Sequence, residues 1–167
     1  TSLIFDMLRR AGLDVGLAGN IGNSLALQVA QEDHAYYVIE LSSFQLDNCY
    51  DFKADIAILL NITPDHLDRY DHQFQNYVDA KFRITRNQTA SDAFIYWSED
   101  PVINREIARI HPQATLYPFG SSEQNVAYTD GSHLVVNSKP EVTPLRVPLG
   151  ELSLKGKHNR LNSMAAG

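Results

Sequence analysis

A carboxylate, an imidazole and an amine occupy positions in this sequence where side chains of their types can do more than fill space. Glu40 ends the apolar run Tyr36-Tyr37-Val38-Ile39, so it stands where a strand gives way to its loop. A carboxylate there is costly to desolvate without a cation. Such an acid either holds a divalent metal beside a phosphate or caps a helix or forms an ion pair. His66 lies in Thr63-Pro64-Asp65-His66-Leu67-Asp68-Arg69-Tyr70, the loop after the apolar run that begins at Ile56. It is either a ligand or a structural histidine, and Asp65 or Asp68 can fix its tautomer from behind. Lys81 breaks a pattern: Phe74, Tyr77, Val78, Lys81, Phe82 and Thr85 recur at helical spacing, so the lysine shares an apolar stripe. A buried ammonium gives up its proton readily, and the neutral amine is a nucleophile able to react with carbon dioxide. The alternative is a stem that follows the stripe and delivers its charge to water.

Two weaker features accompany these. Gly19-Asn20-Ile21-Gly22 reads as a tight bend between strand and helix, where glycine lets backbone approach a ligand. In Lys155-Gly156-Lys157-His158-Asn159-Arg160-Leu161-Asn162, which opens a helix, Asn159 and Asn162 fall one turn apart on one face. Paired amides of this kind either read the edge of a nucleobase or cap the helix.

The elements that must position these groups alternate between strand and helix. Leu3, Ile4, Met7, Leu8 and Ala11 mark a first helix that stops at Gly12. The pattern then predicts a strand over 15–18, a helix over 24–31, a strand over 36–41, a strand over 56–61 and a long helix over 72–87. A strand over 93–97, a helix over 101–110 opened by a proline and a strand over 115–119 follow. Residues 36–41 and 56–61 are near-continuous apolar runs, which predicts strands buried on both faces of a parallel sheet. Right-handed crossovers then bring polar groups at the carboxyl ends of the strands to one rim. From 120 to 148 the pattern changes to short β-like pieces such as Leu134-Val135-Val136, broken by Asp-Gly, Lys-Pro and Thr-Pro, which predicts a small antiparallel edge away from the chemistry.

With 167 residues and 44% hydrophobic content, one α/β domain is the default. A formal charge of -6 argues against a protein that grips nucleic acid through a basic surface. No apolar run approaches the roughly 18 residues a membrane-spanning helix requires. Cys49 is the single cysteine, which excludes an internal disulfide and fits a reducing, cytoplasmic setting.

Taken in order, Gly-Asn-Ile-Gly at 19–22, Glu-Leu-Ser-Ser-Phe-Gln-Leu at 40–46, Asn-Ile-Thr-Pro-Asp-His-Leu-Asp-Arg-Tyr at 61–70, Ala80-Lys81 and Gly-Lys-His-Asn-Arg-Leu-Asn at 156–162 resemble the central domain of the Mur ligases of peptidoglycan synthesis. The motif at 40–46 points to the D-glutamate-adding branch. The resemblance covers almost the whole chain and is weakest between about 97 and 148. It implies an α/β fold in three layers, a mostly parallel sheet flanked by helices of the P-loop type, with a small antiparallel region near the carboxy-terminal third. It implies an ATP-dependent amide ligase that activates UDP-N-acetylmuramoyl-L-alanine as an acyl phosphate and joins it to D-glutamate. By the same resemblance Glu40 holds one Mg2+, while His66 and a carbamylated Lys81 serve a second. Asn20, Ser42 and His66 contact the muramoyl substrate, and Asn159 and Asn162 contact adenine. The family's phosphate loop, uridine-binding domain and carboxy-terminal domain are expected outside residues 1–167, so the segment alone is expected to be inactive, and a monomer is the default. The rival readings are another Mur ligase, a folylpolyglutamate synthase, or a nucleotide-binding module without catalysis.

Overall fold

The strand–helix alternation is realised in a computed structural model that describes residues 1–138, 141–152 and 156–167. The chain divides into two compact units, Thr1–Cys49 and Tyr50–Gly167.

In the first unit α1 (Ser2–Arg10) leads to β1 (Val15–Gly19), α2 (Leu25–Gln31) to β2 (Tyr36–Glu40), and α3 (Ser43–Leu46) follows directly. Ser24 starts α2 by accepting a hydrogen bond from the Leu27 amide at 3.1 Å, the preferred use of a serine before a helix. β1 and β2 run parallel, in register from Val15 opposite Tyr36 to Gly19 opposite Glu40, with α2 as their crossover. Ala18 is fully buried, but the expectation that β2 is buried on both faces fails: Tyr36 is 54% exposed and the next four residues are half-buried. The physical reason is thin cover, since α1 and α2 have no fully buried residue and β1 is β2's sheet partner.

The second unit is built on a six-stranded sheet in the order β3 (Ile56–Leu59), β4 (Ala93–Trp97), β5 (Thr115–Phe119), β6 (Ala127–Thr129), β7 (His133–Val136) and β8 (Leu145–Pro148). β3 to β6 are parallel, and the last two pairings are antiparallel, as the change of pattern after 120 predicts. Alternation along β4 assigns its faces. Phe94 meets Phe82 of α4 (Phe74–Phe82) with ring centres 6.1 Å apart and stacks on Tyr96 at 5.6 Å. Ile95 and Trp97 pack on the opposite side with Phe119 and with Met164 and Ala165 of α6 (Lys157–Ala166). This unit is therefore a three-layer α/β arrangement. α5 (Pro101–Ile110) is tied to α4 through its Glu106, 1% exposed, which accepts from Arg105 and Arg109, while Arg109 also reaches Asp79. Burial alone would raise the Glu106 carboxyl, but Arg109, Arg105 and Gln75 hold it below the ordinary value.

Three further expectations need correction. β3 ends at Leu59 rather than at 61, and Ile56 is 62% exposed because β3 is the terminal strand of its sheet; only Ala57 and Leu59 are buried on it. The helix predicted over 72–87 is confined to Phe74–Phe82. Asp71 and His72 take positive φ ahead of it, and after Phe82 the chain tightens into a 3-10 turn, Arg83–Thr85, where the Thr85 hydroxyl bonds the Phe82 carbonyl at 2.9 Å. α6 begins at Lys157; the expected Lys-Pro breaker at 139–140 and Lys155 lie outside the described residues. Among the described residues, no helix is long and apolar enough to cross a membrane.

Candidate functional site

In the first unit the candidate residues gather where β1 and β2 end. Gly19 lies opposite Glu40 at φ +99, and a Cβ added there would stand 2.1 Å from the Glu40 carbonyl oxygen, so this approach requires glycine. The same carbonyl accepts from the Asn20 amide at 3.0 Å, placing the exposed Asn20 beside the root of Glu40. The half-buried Glu40 carboxylate accepts from the Thr1 hydroxyl at 2.6 Å. Two residues on, Ser42 starts α3 with a reciprocal cap: its hydroxyl accepts from the Gln45 amide at 3.3 Å, and its own amide donates to Gln45 Oε1 at 2.8 Å. The spacing Ser-x-x-Gln was visible in the sequence as a capping box. It gives Ser42 and Gln45 of the Glu-Leu-Ser-Ser-Phe-Gln-Leu motif a structural duty that the chemical reading overlooked.

In the second unit the loop after β3 carries Asp65 and His66. The His66 backbone is left-handed, at φ 49, and its amide donates to Asp65 Oδ1 at 2.9 Å. Asp65 Oδ2 lies 3.4 Å from His66 Nε2, so of the two acids considered as partners for the imidazole, Asp65 is the one paired with it here. Both side chains are more than half exposed. Lys81 projects from α4 between buried neighbours: Tyr77, Val78, Phe82 and Thr85 are all buried, as the stripe predicts. Its ammonium sits 5.1 Å from the centre of the Tyr77 ring. Burial lowers the Lys81 ammonium below the ordinary lysine value, and the charge of Asp65 opposes that shift. Burial likewise raises the Tyr77 phenol, with Asp65 and Tyr70 adding to it. Asp65 thus acts on His66 by contact and on Lys81 and Tyr77 through its field.

On α6, Asn162 Nδ2 donates to Asn159 Oδ1 at 3.4 Å, and both residues are half-buried, which keeps the two amides on one face. The Ser163 hydroxyl donates to the Asn159 carbonyl at 2.8 Å.

The structure therefore brings Asn20 to the base of Glu40 and sets His66 against Asp65, whose charge also reaches Lys81. Among the described residues no three His, Cys, Asp or Glu side chains surround a point suited to a metal ion. The donors present at the second cluster are an imidazole, a carboxylate and a lysine partly stripped of water. This set suits a hard divalent cation once the lysine carries a carboxylate of its own. Two contributors carry no distinct signal in the sequence. There Tyr77 is one more stripe residue, and nothing in composition distinguishes a ring that packs from one that covers an ammonium. Asp100, before the proline of α5, was legible as a helix cap, but a further hydrogen bond that it accepts, from the Ile62 amide at 3.0 Å, crosses 38 residues and leaves no local signal.

The whole chain, residues 1–167, matches the Mur ligase middle domain model. It is 58% identical over 169 residues to the UDP-N-acetylmuramoylalanine--D-glutamate ligase of Bacteroides fragilis, covering 100% of this chain and 37% of that protein. The protein of the same name from Porphyromonas gingivalis is 55% identical over 171 residues, with 99% and 37% covered. The chain thus spans little more than a third of the length of these relatives. Among solved structures, a UDP-N-acetylmuramoyl-L-alanyl-D-glutamate--2,6-diaminopimelate ligase superposes with a TM-score of 0.74 at 22% identity, covering 99% of this chain and 39% of that one. The MurF ligase of Thermotoga maritima in complex with ADP gives 0.67 at 16%, covering 98% and 40%. At these identities the two structures speak for the fold.

Proposed function

The chain belongs to the Mur ligase middle domain family, and from that premise we propose that it is the ATP-handling part of a ligase joining D-glutamate to UDP-N-acetylmuramoyl-L-alanine. The name shared by relatives 55–58% identical over the whole chain supports this substrate pair over that of another Mur ligase or a folylpolyglutamate synthase. The observation that carries the catalytic reading is Lys81, an amine whose pKa burial lowers on an otherwise apolar stripe, set 5.1 Å from the Tyr77 ring centre and within the field of Asp65. A module that only bound nucleotide would gain nothing from a desolvated lysine there.

In this reading the terminal carboxylate of the muramoyl substrate attacks the γ-phosphorus of ATP. An oxygen–phosphorus bond forms, the bond to the β-phosphate oxygen breaks, and ADP leaves. The amine of D-glutamate then attacks the acyl carbon, phosphate departs and the nitrogen loses a proton. Asn20, Ser42 and His66 orient the muramoyl substrate, and Asn159 and Asn162 present donor and acceptor to adenine. The neutral Lys81 amine adds to carbon dioxide and releases a proton, and the resulting carbamate gives the cluster a second carboxylate. Glu40 would hold one Mg2+ and His66 with carbamylated Lys81 the other, and ions held there would draw negative charge off the transferred phosphoryl group. An ATP-fed ligase of this kind works in the cytoplasm.

The test uses the full-length parent protein. Phosphate release from ATP should require both UDP-N-acetylmuramoyl-L-alanine and D-glutamate, and isotope-labelled bicarbonate should give a carbamate signal that Lys81→Met abolishes. Turnover with a folate and L-glutamate instead, or full activity of Lys81→Met, would defeat the proposal.

A further inference from the structure

Asp100 is 4% exposed and accepts three backbone hydrogen bonds. Oδ1 takes the amides of Val102 at 2.8 Å and Ile103 at 3.0 Å, which is the N-cap of α5. Oδ2 takes the amide of Ile62 at 3.0 Å. Ile62 is itself 3% exposed and begins the loop that carries His66 four residues later. One carboxylate therefore serves two masters: a cap needs a single oxygen, and the other is spent on the loop.

From this we infer that Asp100 is a positioning residue for His66, anchoring the upstream end of its loop through Ile62 while Asp65 anchors the histidine itself. The inference rests on the reading of His66 as a ligand. The physical need for an anchor is in the backbone. His66 has φ 49 and Asp71 and His72 have φ 53 and 57, conformations that non-glycine residues hold only when their surroundings impose them. At the His66 end the Asp65 side chain accepts the His66 amide at 2.9 Å. At the other end Asp100 takes the Ile62 amide, a buried donor that would otherwise lose its partner. Removing Oδ2 frees the loop from α5 while leaving the helix able to start.

Asp100→Ser and Asp100→Asn make that separation, because both residues cap helices well, yet serine lacks the second oxygen and asparagine offers an amide in its place. In the full-length protein, hydrogen exchange of a peptide covering residues 60–68 should quicken about tenfold, the equivalent of one lost hydrogen bond. A peptide covering 101–106 should keep its protection. The Mg2+ concentration for half-maximal ligase rate should rise about tenfold, with the rate recovered at high Mg2+, the size of effect that supporting residues of a metal site have. A variant that merely lowered the amount of folded enzyme would leave that concentration unchanged. Unaltered exchange at 60–68 in both variants would overturn the inference, as would equal acceleration at 60–68 and 101–106, or the failure of both variants to fold. His66→Asn is run beside them. If it leaves the Mg2+ dependence of the ligase unmoved, the reading of His66 as a ligand falls, while the exchange data still decide whether Asp100 anchors the loop.

Discussion

Replacing Gly19 by alanine should damage both the fold and the site, and the coordinates give the size of the effect. The added Cβ would lie 2.1 Å from the Glu40 carbonyl oxygen and 3.0 Å from the Glu40 carbonyl carbon and amide nitrogen. An ordinary carbon–oxygen contact is about 3.4 Å, so the ends of β1 and β2 must part by more than about 1 Å. That separation breaks the Asn20 amide's hydrogen bond to Glu40, at a cost of about 1 kcal/mol. Alanine at φ +99 adds about 1–2 kcal/mol of backbone strain. Gly131 supplies the control, since it has φ +95 with open space around its missing Cβ. Gly131→Ala should therefore show the strain alone, and Gly19→Ala should be destabilised by at least about 1 kcal/mol more. Urea unfolding of the full-length protein reads that difference. Because Glu40 moves with the strand end, the ligase activity proposed for the full-length protein should fall about a hundredfold in Gly19→Ala, the penalty of an angstrom-scale misplacement. Equal destabilisation of the two variants, with activity retained in Gly19→Ala, would refute the claim that this close approach sets the position of Glu40.

Three other outcomes follow from the same geometry. Phe94→Ala removes a fully buried ring set between Phe82 and Tyr96, and urea unfolding should register a loss of about 3–5 kcal/mol. Asp92 accepts from Lys53 at 2.7 Å and from the Thr89 amide and hydroxyl, which lowers its pKa to about 2. A depressed carboxylate stabilises the fold above its unfolded value, near 4. Its contribution is lost as pH falls toward 2, so Asp92→Asn should be less stable than the parent at pH 7, with the gap closing between about pH 4 and 2 in acid-unfolding curves. For Lys81 the sign is opposite. With the pKa of the folded state lowered by burial, the charged form opposes folding at neutral pH, and unfolding midpoints should place Lys81→Met at or above the parent even as the proposed activity is lost.

Much of this architecture could be read directly from residue patterns. Phe94 and Ile95 point to opposite faces because a strand has period two, and the run 93–97 announced that strand to the residue. Pro101 announced the start of α5 in the same way. The stripe from Phe74 to Thr85 gave the buried face of α4 and the anomaly of Lys81. Helical spacing did not reveal where α4 stops, because the stripe runs on through the 3-10 turn at Arg83–Thr85. Exposure of Tyr36 and Ile56 was illegible for a different reason: an apolar run reports what a strand can bury, while the cover it receives depends on neighbours distant in sequence. Asp100 shows the same division: its residue type was plain, but the Ile62 amide it accepts from lies 38 positions away.

The loop after β3 shows how these distant partners bear on chemistry. Among the described residues, four non-glycine positions have positive φ, and three of them, His66, Asp71 and His72, fall between β3 and α4. Each costs on the order of 1–3 kcal/mol in an unconstrained chain, so the segment would relax if left to itself. It is held instead by discrete contacts: Ile62 to Asp100, His66 to Asp65, and the Asn76 side chain to the Tyr70 carbonyl at 3.3 Å. Tyr70 is also pinned edge-on against Tyr77, ring centres 5.5 Å apart, one helical turn before the lysine. The same aromatic ring thus braces the loop that presents the imidazole and covers the ammonium at 5.1 Å. A change at Tyr77 should therefore disturb both the loop that carries His66 and the setting of Lys81, candidate ligands 15 positions apart in sequence.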